Sequence, residues 1–175
     1  RYLTKYILVD NMKIKKYYLT KSDNTRRMEK IEKVKKVIIT SSKYRGFSGL
    51  KNRNIIEMSK YKDGREFSCH YIIGNSGEVL NIIPENERAI CTRNESIDTQ
   101  SISIMLSLDS EGRYTENEIK TLRELVLKIV ERYNLKLSDV QMEYDINCSR
   151  RPKILVDEPI MLDDILKKKP LKLKL

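Results

Sequence analysis

The stretch SISIMLSL, residues 101–108, constrains the fold more than any other part of the chain. Two sets of positions alternate along it strictly, which is the period of two of a β-strand. Ile102, Ile104, Leu106 and Leu108 form one set, and Ser101, Ser103, Met105 and Ser107 form the other. The pattern predicts a strand at or near the centre of a sheet, with one buried face.

An amphipathic helix is predicted directly after this strand, in YTENEIKTLRELVLKIVERYNL, residues 114–135. Thr115 and Glu118 have the spacing of a capping box at its start. The apolar stripe that follows has helical spacing. Its members are Ile119, Leu122, Leu125, Val126, Ile129, Val130 and Tyr133.

Shorter signals complete the predicted architecture. A basic lead into a β-branched run predicts a buried strand over residues 33–42, and residues 69–84 read as a hairpin around Asn75-Ser76-Gly77. A surface helix is predicted over residues 50–61 and a last short strand over residues 139–145. Strands and helices interleave, so we predict a single α/β domain with a mixed central β-sheet flanked by helices.

Length and hydropathy narrow the class of protein. A chain of 175 residues suits one domain. No apolar run approaches the roughly 20 residues of a transmembrane helix, and the apolar patch at residues 6–9 is shorter than the roughly 7–15 apolar residues of a signal peptide. We therefore expect a protein that is cytoplasmic as synthesised and has no transmembrane segment.

Histidine and cysteine counts limit the sites this chain can build. His70 is the single histidine, which excludes any site that needs two imidazoles. Cys69, Cys91 and Cys148 are an odd number of cysteines, and their spacing matches neither a disulfide framework nor paired CxxC zinc arms. Reduced thiols packed as small apolar side chains are the simplest interpretation.

The formal net charge of +10 is unevenly spread along the chain. Residues 1–65 carry 19 lysine and arginine residues against 6 acidic residues, and residues 66–165 carry 11 against 19. Five further lysines lie in residues 166–175. Basic ends of this kind predict weak, salt-sensitive binding to polyanions, although lysines also serve simply to keep a surface soluble.

Several stretches resemble one enzyme family. CHYIIGNSGEVLNIIPENERA, residues 69–89, is similar to the S-x-H-Y-I-I-G-x-x-G-E-V-x-x-x-I-P-x-x-E-x-A core of the zinc-dependent N-acetylmuramoyl-L-alanine amidases, which include phage endolysins and peptidoglycan recognition proteins. MEYDINCSRRP, residues 142–152, resembles their R-H-Y-D loop, and clostridial phage-type endolysins are the most similar members. The resemblance implies an amidase-like domain over residues 12–165, an N-terminal extension over 1–11 and a basic tail over 166–175.

The resemblance also implies a zinc site, whose ligands in the family are two histidines and a cysteine or aspartate. It puts Thr40, Glu143 and Arg151 at those three positions. A hydroxyl, a lone carboxylate and a permanent cation do not make a zinc site, because arginine cannot lose its proton to become a ligand. We therefore predict no cofactor, and an ion pair between Glu143 and Arg151 where the family holds its metal.

The positions that assist catalysis in the family are also changed. By the same resemblance, Cys69 replaces a catalytic tyrosine, Met105 a glutamate and Ser149 a lysine. The cleft histidine of the family corresponds to Cys91. We interpret His70 as a structural hydrogen-bonding residue beneath the site. The residues considered as candidates for lining a ligand groove are His70, Tyr71, Cys91, Asn94 and Tyr144.

These features predict a degenerate, non-catalytic amidase homologue that binds peptidoglycan fragments or a protein partner and reaches the wall by holin-type or lytic release. One alternative is an active hydrolase with a rebuilt site that uses Cys69, Cys91, Cys148 and His70, since thiolates are good zinc ligands. Against a Cys69 nucleophile, strand neighbours such as Cys69 and His70 point to opposite faces. A second alternative is a basic polyanion-binding protein.

Overall fold

The elements of the fold follow the chain in an interleaved order. The structure is a computed structural model that describes residues 6–9, 12–22, 24–45, 61–62, 65–111 and 113–146. The strands are β1 (Tyr6–Val9), β2 (Met12–Lys16), β3 (Lys36–Arg45), β4 (Tyr61–Lys62), β5 (Arg65–Glu66), β6 (Tyr71–Ile73), β7 (Val79–Asn81), β8 (Ser101–Leu108) and β9 (Val140–Met142). The helices are α1 (Glu95–Asp98), α2 (Glu116–Arg132) and α3 (Glu143–Ile146), and a 3-10 turn spans Leu137–Asp139.

Seven of these strands form one mixed sheet, in the order β1-β2-β7-β6-β8-β3-β9. The pairs β1–β2 and β6–β7 are antiparallel, and the other neighbours are parallel. β4 and β5 pair separately. The predicted mixed sheet is confirmed, and β8 lies inside it, between β6 and β3.

The limits predicted for the domain stay predictions. Within residues 1–11, the structure describes β1, which pairs with β2 and so belongs to the sheet. Residues 147–175, which include the predicted basic tail, and most of the helix predicted over residues 50–61 lie outside the described residues. None of the helices described has the length and apolar character needed to span a membrane.

The two faces of the sheet are covered by different elements. α2 packs on the first face, in a core that includes Ile104, Leu122 and Ile129. The second face has its own core, in which Ile38 and Met105 pack with side chains from the connecting segments. The central strands of the sheet are therefore buried on both sides, as expected for a sheet with many parallel pairs.

The expectation that β8 has only one buried face is wrong, because all eight of its residues are buried. Its serines are accommodated by hydrogen bonds. Ser101 Oγ donates to the Ile97 carbonyl at 2.6 Å and Ser107 Oγ to the Ile73 carbonyl at 2.6 Å. Polar alternation in a strand indicates solvent exposure only when no neighbouring group satisfies the hydroxyls.

The predicted helix and hairpin are confirmed. Thr115 and Glu118 form the capping box at the start of α2. β6 and β7 pair antiparallel around the turn at Asn75-Ser76-Gly77. The last predicted strand is shorter than residues 139–145, because the chain leaves β9 after Met142 and turns into α3.

Replacing Gly77 with alanine is expected to destabilise the protein by about 2 kcal/mol. Gly77 has φ +85°, and an added Cβ would lie 2.8 Å from Thr121 Oγ1 and 3.1 Å from the Asn117 carbonyl oxygen of α2. Urea denaturation measures the loss. Combining Gly77→Ala with Thr121→Ala removes the side-chain clash. Because Thr121→Ala also removes the hydrogen bond from Thr121 Oγ1 to the Gly77 carbonyl, Gly77→Ala should cost less in the Thr121→Ala background than in the wild type. An unchanged unfolding midpoint for Gly77→Ala would contradict this account.

Candidate functional site

Three of the positions that the resemblance assigns to zinc ligands and catalytic residues lie close together, where β3 pairs with β8 and with β9. Thr40 of β3 lies opposite Met105 of β8. On the other side of β3, Ile39 pairs with Met142, the residue before Glu143. The parallel registers thus bring Thr40, Met105 and Glu143 together although they are far apart in sequence.

Thr40 and Glu143 contact each other directly in this position. Thr40 Oγ1 donates to Glu143 Oε2 at 3.5 Å, which is a long hydrogen bond. The two residues are 2% and 7% exposed, and Met105 is 4% exposed. A buried carboxylate needs hydrogen-bond or ionic partners, and the Thr40 hydroxyl supplies one of them.

Zinc is the metal that the resemblance implies, and the described residues do not fit it. Structural and catalytic zinc sites use three or four cysteine, histidine or carboxylate ligands. Here the Glu143 carboxylate accepts a hydrogen bond from the Thr40 hydroxyl, and the neighbouring Met105 thioether is a weak metal ligand. Among the described residues, no group of three or more histidine, cysteine, aspartate or glutamate side chains is placed to hold a metal ion.

The remaining predicted positions of this loop cannot be located. Cys148, Ser149 and Arg151 lie outside the described residues, and so does the side chain of Tyr144. The ion pair between Glu143 and Arg151 therefore stays a prediction.

Cys69 and Cys91 both lie in the core on the second face of the sheet, together with Met105. Both thiols are buried, 0% and 4% exposed. Thiolates that act as nucleophiles are at least partly accessible and lie near positive charge. Their burial among apolar side chains agrees with the interpretation of these cysteines as small core residues.

His70 is fully buried, and both of its ring nitrogens are engaged. Nε2 lies 2.7 Å from the Glu87 carbonyl oxygen, which can only accept, so Nε2 carries the proton. Nδ1 then accepts from the Ser103 backbone N–H at 2.9 Å. Burial is the largest influence on the ring and lowers the pKa of His70 to about 4. A neutral imidazole with both nitrogens bonded has no lone pair left for a metal.

The segment beneath His70 is held by a second buried contact. Arg26 Nε and Nη2 donate to the two carboxylate oxygens of Glu87 at 2.7 Å each, and Arg26 Nη1 donates to the Leu19 carbonyl at 2.6 Å. The pKa of Glu87 is lowered, first by the Arg26 hydrogen bonds. The carbonyl that orients His70 thus belongs to a residue that is itself fixed.

Tyr71 and Asn94, two of the groove candidates, lie in different surroundings. Tyr71 belongs to the core under α2, on the opposite face of the sheet from Met105, and its hydroxyl donates to Glu85 at 2.5 Å. Asn94 is exposed and follows Cys91 in a short loop. The structure does not bring Tyr71 to the same face as Thr40.

Sequence reasoning missed Asp98, which fixes the loop before Asn94. Its carboxylate accepts from Thr92 N at 2.9 Å, Thr92 Oγ1 at 2.8 Å and Arg93 N at 3.0 Å. Arg93 is held at φ +62°, a conformation that non-glycine residues rarely adopt. The signal available in the sequence was only an aspartate six residues after a threonine, which is too common to interpret.

Comparison with known sequences identifies the family. The family model described as N-acetylmuramoyl-L-alanine amidase matches residues 31–151. The curated N-acetylmuramoyl-L-alanine amidase CwlL of Bacillus licheniformis is 24% identical over an alignment of 168 residues, and the match covers 90% of this chain. The chain spans about half, 46%, of that relative's length.

Solved structures share the fold at low sequence identity. A mutant endolysin from Bacillus subtilis has a TM-score of 0.71 at 16% identity, with 89% of this chain and 99% of that chain covered. The amidase LysC from Clostridium intestinale URNW has a TM-score of 0.60 at 14% identity, with 87% and 93% covered. The fold and the match over most of the chain agree with the resemblance in the sequence, and the protein belongs to the N-acetylmuramoyl-L-alanine amidase family.

Proposed function

We propose that this chain is a non-hydrolysing amidase homologue that binds peptidoglycan fragments. The observation that carries the proposal is the hydrogen bond between Thr40 and Glu143. At the positions where the family resemblance puts two histidine ligands, this chain has a hydroxyl and a carboxylate that are bonded to each other. Neither group supplies the neutral nitrogen lone pair that a zinc ion takes from histidine.

Met105 supports the same proposal. The resemblance puts it where the family has a glutamate, and the register puts it opposite Thr40. A thioether has no proton to donate and is a weak acceptor, so it cannot replace a carboxylate in proton transfer. Two separate requirements of hydrolysis, activation of the carbonyl and transfer of protons, are therefore weakened together.

The alternative of a rebuilt cysteine site receives less support. Such a site would draw on His70, whose two nitrogens are both bonded within the fold. Cys69 is 0% exposed. Cys148 lies outside the described residues, and the Cys148→Ser variant below tests whether it belongs to such a site.

Peptidoglycan is the ligand class that the family favours. Recognition of a ligand needs a shaped surface and a few polar groups, and it does not need a metal. The exposed side chain of Asn94 is a polar group that could bind a peptidoglycan fragment, and the loop before it is held in place by Asp98. On this proposal the protein acts at the wall after its release from the cell.

Sedimentation of the protein with purified sacculi tests binding, and release of dye from labelled sacculi with and without added Zn²⁺ tests hydrolysis. Binding without release supports the proposal. Zinc-dependent release contradicts it. If the protein binds neither sacculi nor soluble fragments, peptidoglycan is not its ligand and a protein partner is to be sought. If the protein releases dye and Cys69→Ser or Cys148→Ser abolishes that release, the rebuilt cysteine site is established.

Restoring the family's residues should create a metal site. We expect the quadruple variant Thr40→His, Met105→Glu, Glu143→His, Arg151→Cys to retain about one zinc per chain after dialysis, because the registers bring positions 40 and 143 into contact. The matched control is Thr40→His alone, which supplies too few ligands. Metal content by mass spectrometry is the measurement, and stoichiometric zinc in the unaltered protein would contradict the premise.

A further inference from the structure

The hairpin turn at Asn75-Ser76-Gly77 docks on the first turns of α2, and we call this contact the turn–helix junction. Thr115 Oγ1 donates to the Asn75 carbonyl at 2.5 Å, and Thr121 Oγ1 donates to the Gly77 carbonyl at 3.0 Å. Gly77 N donates to the Gly74 carbonyl at 2.9 Å. The junction thus joins the β6–β7 hairpin to the helix that covers the first face of the sheet.

Glu118 lies inside this junction and is 0% exposed. Its Oε2 accepts from Thr115 N at 3.1 Å, as a capping box requires. Its Oε1 is also buried but has no hydrogen-bond partner among the described residues, and the same is true of Asn75 Oδ1. A buried ionised carboxylate with an unpartnered oxygen is costly.

The hydroxyl of Ser107 lies near the Glu118 carboxyl. A hydrogen bond donated by this hydroxyl to the carboxylate would lower the pKa of Glu118. A hydroxyl has one proton, and Ser107 donates it to the Ile73 carbonyl at 2.6 Å. Toward Glu118 the Ser107 oxygen can therefore present only lone pairs. Two acceptors facing each other are repulsive unless one of them carries a proton.

We propose that Glu118 carries a proton in the folded protein and donates it from Oε1 to the Ser107 hydroxyl oxygen, so that the turn–helix junction is a pH-sensitive contact. In this arrangement Ser107 accepts from Glu118 and donates to Ile73. The protonated carboxyl thereby gives Oε1 a hydrogen-bond partner. When the proton leaves, the junction holds a buried negative charge that faces a lone pair.

The surrounding charges act in the same direction. Asp109, just after β8, is the charged group that faces Glu118 from the sheet, and its negative charge favours the neutral acid. The turn contributes the neutral Asn75. The loop before the helix contributes Thr115, whose hydrogen bonds to Oε2 lower the pKa of Glu118 and so oppose burial. Burial is the largest influence, and it raises the pKa of Glu118 to about 7 from 4.5. Because the folded-state pKa is the higher one, this contribution to stability is full below pH 4.5 and is lost as the pH rises through about 7.

Glu118→Gln is the matched variant, because glutamine also completes a capping box and cannot ionise. Between pH 5 and pH 8 the unfolding constant of the wild type should rise relative to that of the variant by on the order of fiftyfold. Protection of the Gly77 and Glu118 amides against hydrogen exchange should fall over the same range in the wild type only. Titrations of His70 and of other groups are common to both proteins and cancel in the comparison.

A direct readout needs no variant. In protein labelled with ¹³C at glutamate side chains, the Glu118 carboxyl signal should titrate with a midpoint near neutral pH. A midpoint near the ordinary value of a glutamate would overturn the proposal.

Discussion

Replacing His70 with leucine is expected to lower the free energy of unfolding at pH 7 by about 3 to 4 kcal/mol. Leucine fills most of the space but leaves the buried Ser103 N–H and the partly buried Glu87 carbonyl without their partner. Urea denaturation followed by circular dichroism measures the change.

Two further variants separate the two bonds of His70. The Oδ1 of asparagine can replace Nδ1 as the acceptor from Ser103, and the Nε2 of glutamine can replace the ring Nε2 as the donor to Glu87. His70→Asn and His70→Gln should each cost about half as much as leucine. If leucine is tolerated as well as these two variants, the hydrogen bonds contribute little.

The same residue predicts how stability depends on pH. The pKa of His70 is about 4 in the folded protein, below its ordinary 6.5, chiefly because of burial. The unfolded chain therefore takes up the proton first, and the contribution of His70 is full above pH 6.5 and is lost as the pH falls to about 4. Relative to His70→Asn, the wild type should lose about 3 kcal/mol over this range. If the difference in the free energy of unfolding between the wild type and His70→Asn stays constant over this pH range, the folded-state pKa of His70 is the ordinary one.

Replacing Glu85 with alanine is expected to cost about 3 kcal/mol. Its carboxylate accepts from the hydroxyls of Tyr71 and Tyr133 at 2.5 Å each and from Arg132 Nη1 at 2.7 Å. Burial alone would raise the pKa of Glu85, but the bonds from Tyr133, Tyr71 and Arg132 outweigh it and the pKa is lowered. Glu85 thus ties the segment after β7 to β6 and to the end of α2.

The control for this prediction is Arg132→Ala, because the Arg132 side chain is 36% exposed and its ion pair is weakened by solvent. Its cost should stay below about 1 kcal/mol. A double-mutant cycle between Tyr71→Phe and Glu85→Gln should give a coupling of about 1 kcal/mol or more. Additive effects within a few tenths of a kcal/mol would mean that this bond does not stabilise the fold.

The contribution of Glu85 should also vanish in acid. Because its folded-state pKa lies below the ordinary 4.5, the contribution is full above pH 4.5 and is lost as the pH falls through the lowered value. The difference in stability between the wild type and Glu85→Gln should therefore shrink below pH 4.5.

The elements whose signals are local could be predicted from the amino-acid sequence. Helix α2 could be predicted because its apolar period and the Thr115–Glu118 capping box lie within one stretch of chain. The β6–β7 hairpin could be predicted because a turn that needs positive φ at Gly77 separates two apolar runs. The family could be identified for the same reason, since its motifs are short and contiguous.

Which side chains share a site depends on contacts between distant parts of the chain, and these are visible in the fold alone. Thr40 and Glu143 are 103 residues apart, and they meet because β3 pairs with β9 in parallel. The Glu85 carboxylate accepts hydrogen bonds from β6 and from the end of α2. The alternation in β8 wrongly predicts an exposed face, because the hydrogen-bond partners of its buried serines come from other elements. Local periodicity reports the conformation of a segment, whereas the burial and bonding of its polar groups depend on neighbours that only the folded chain provides.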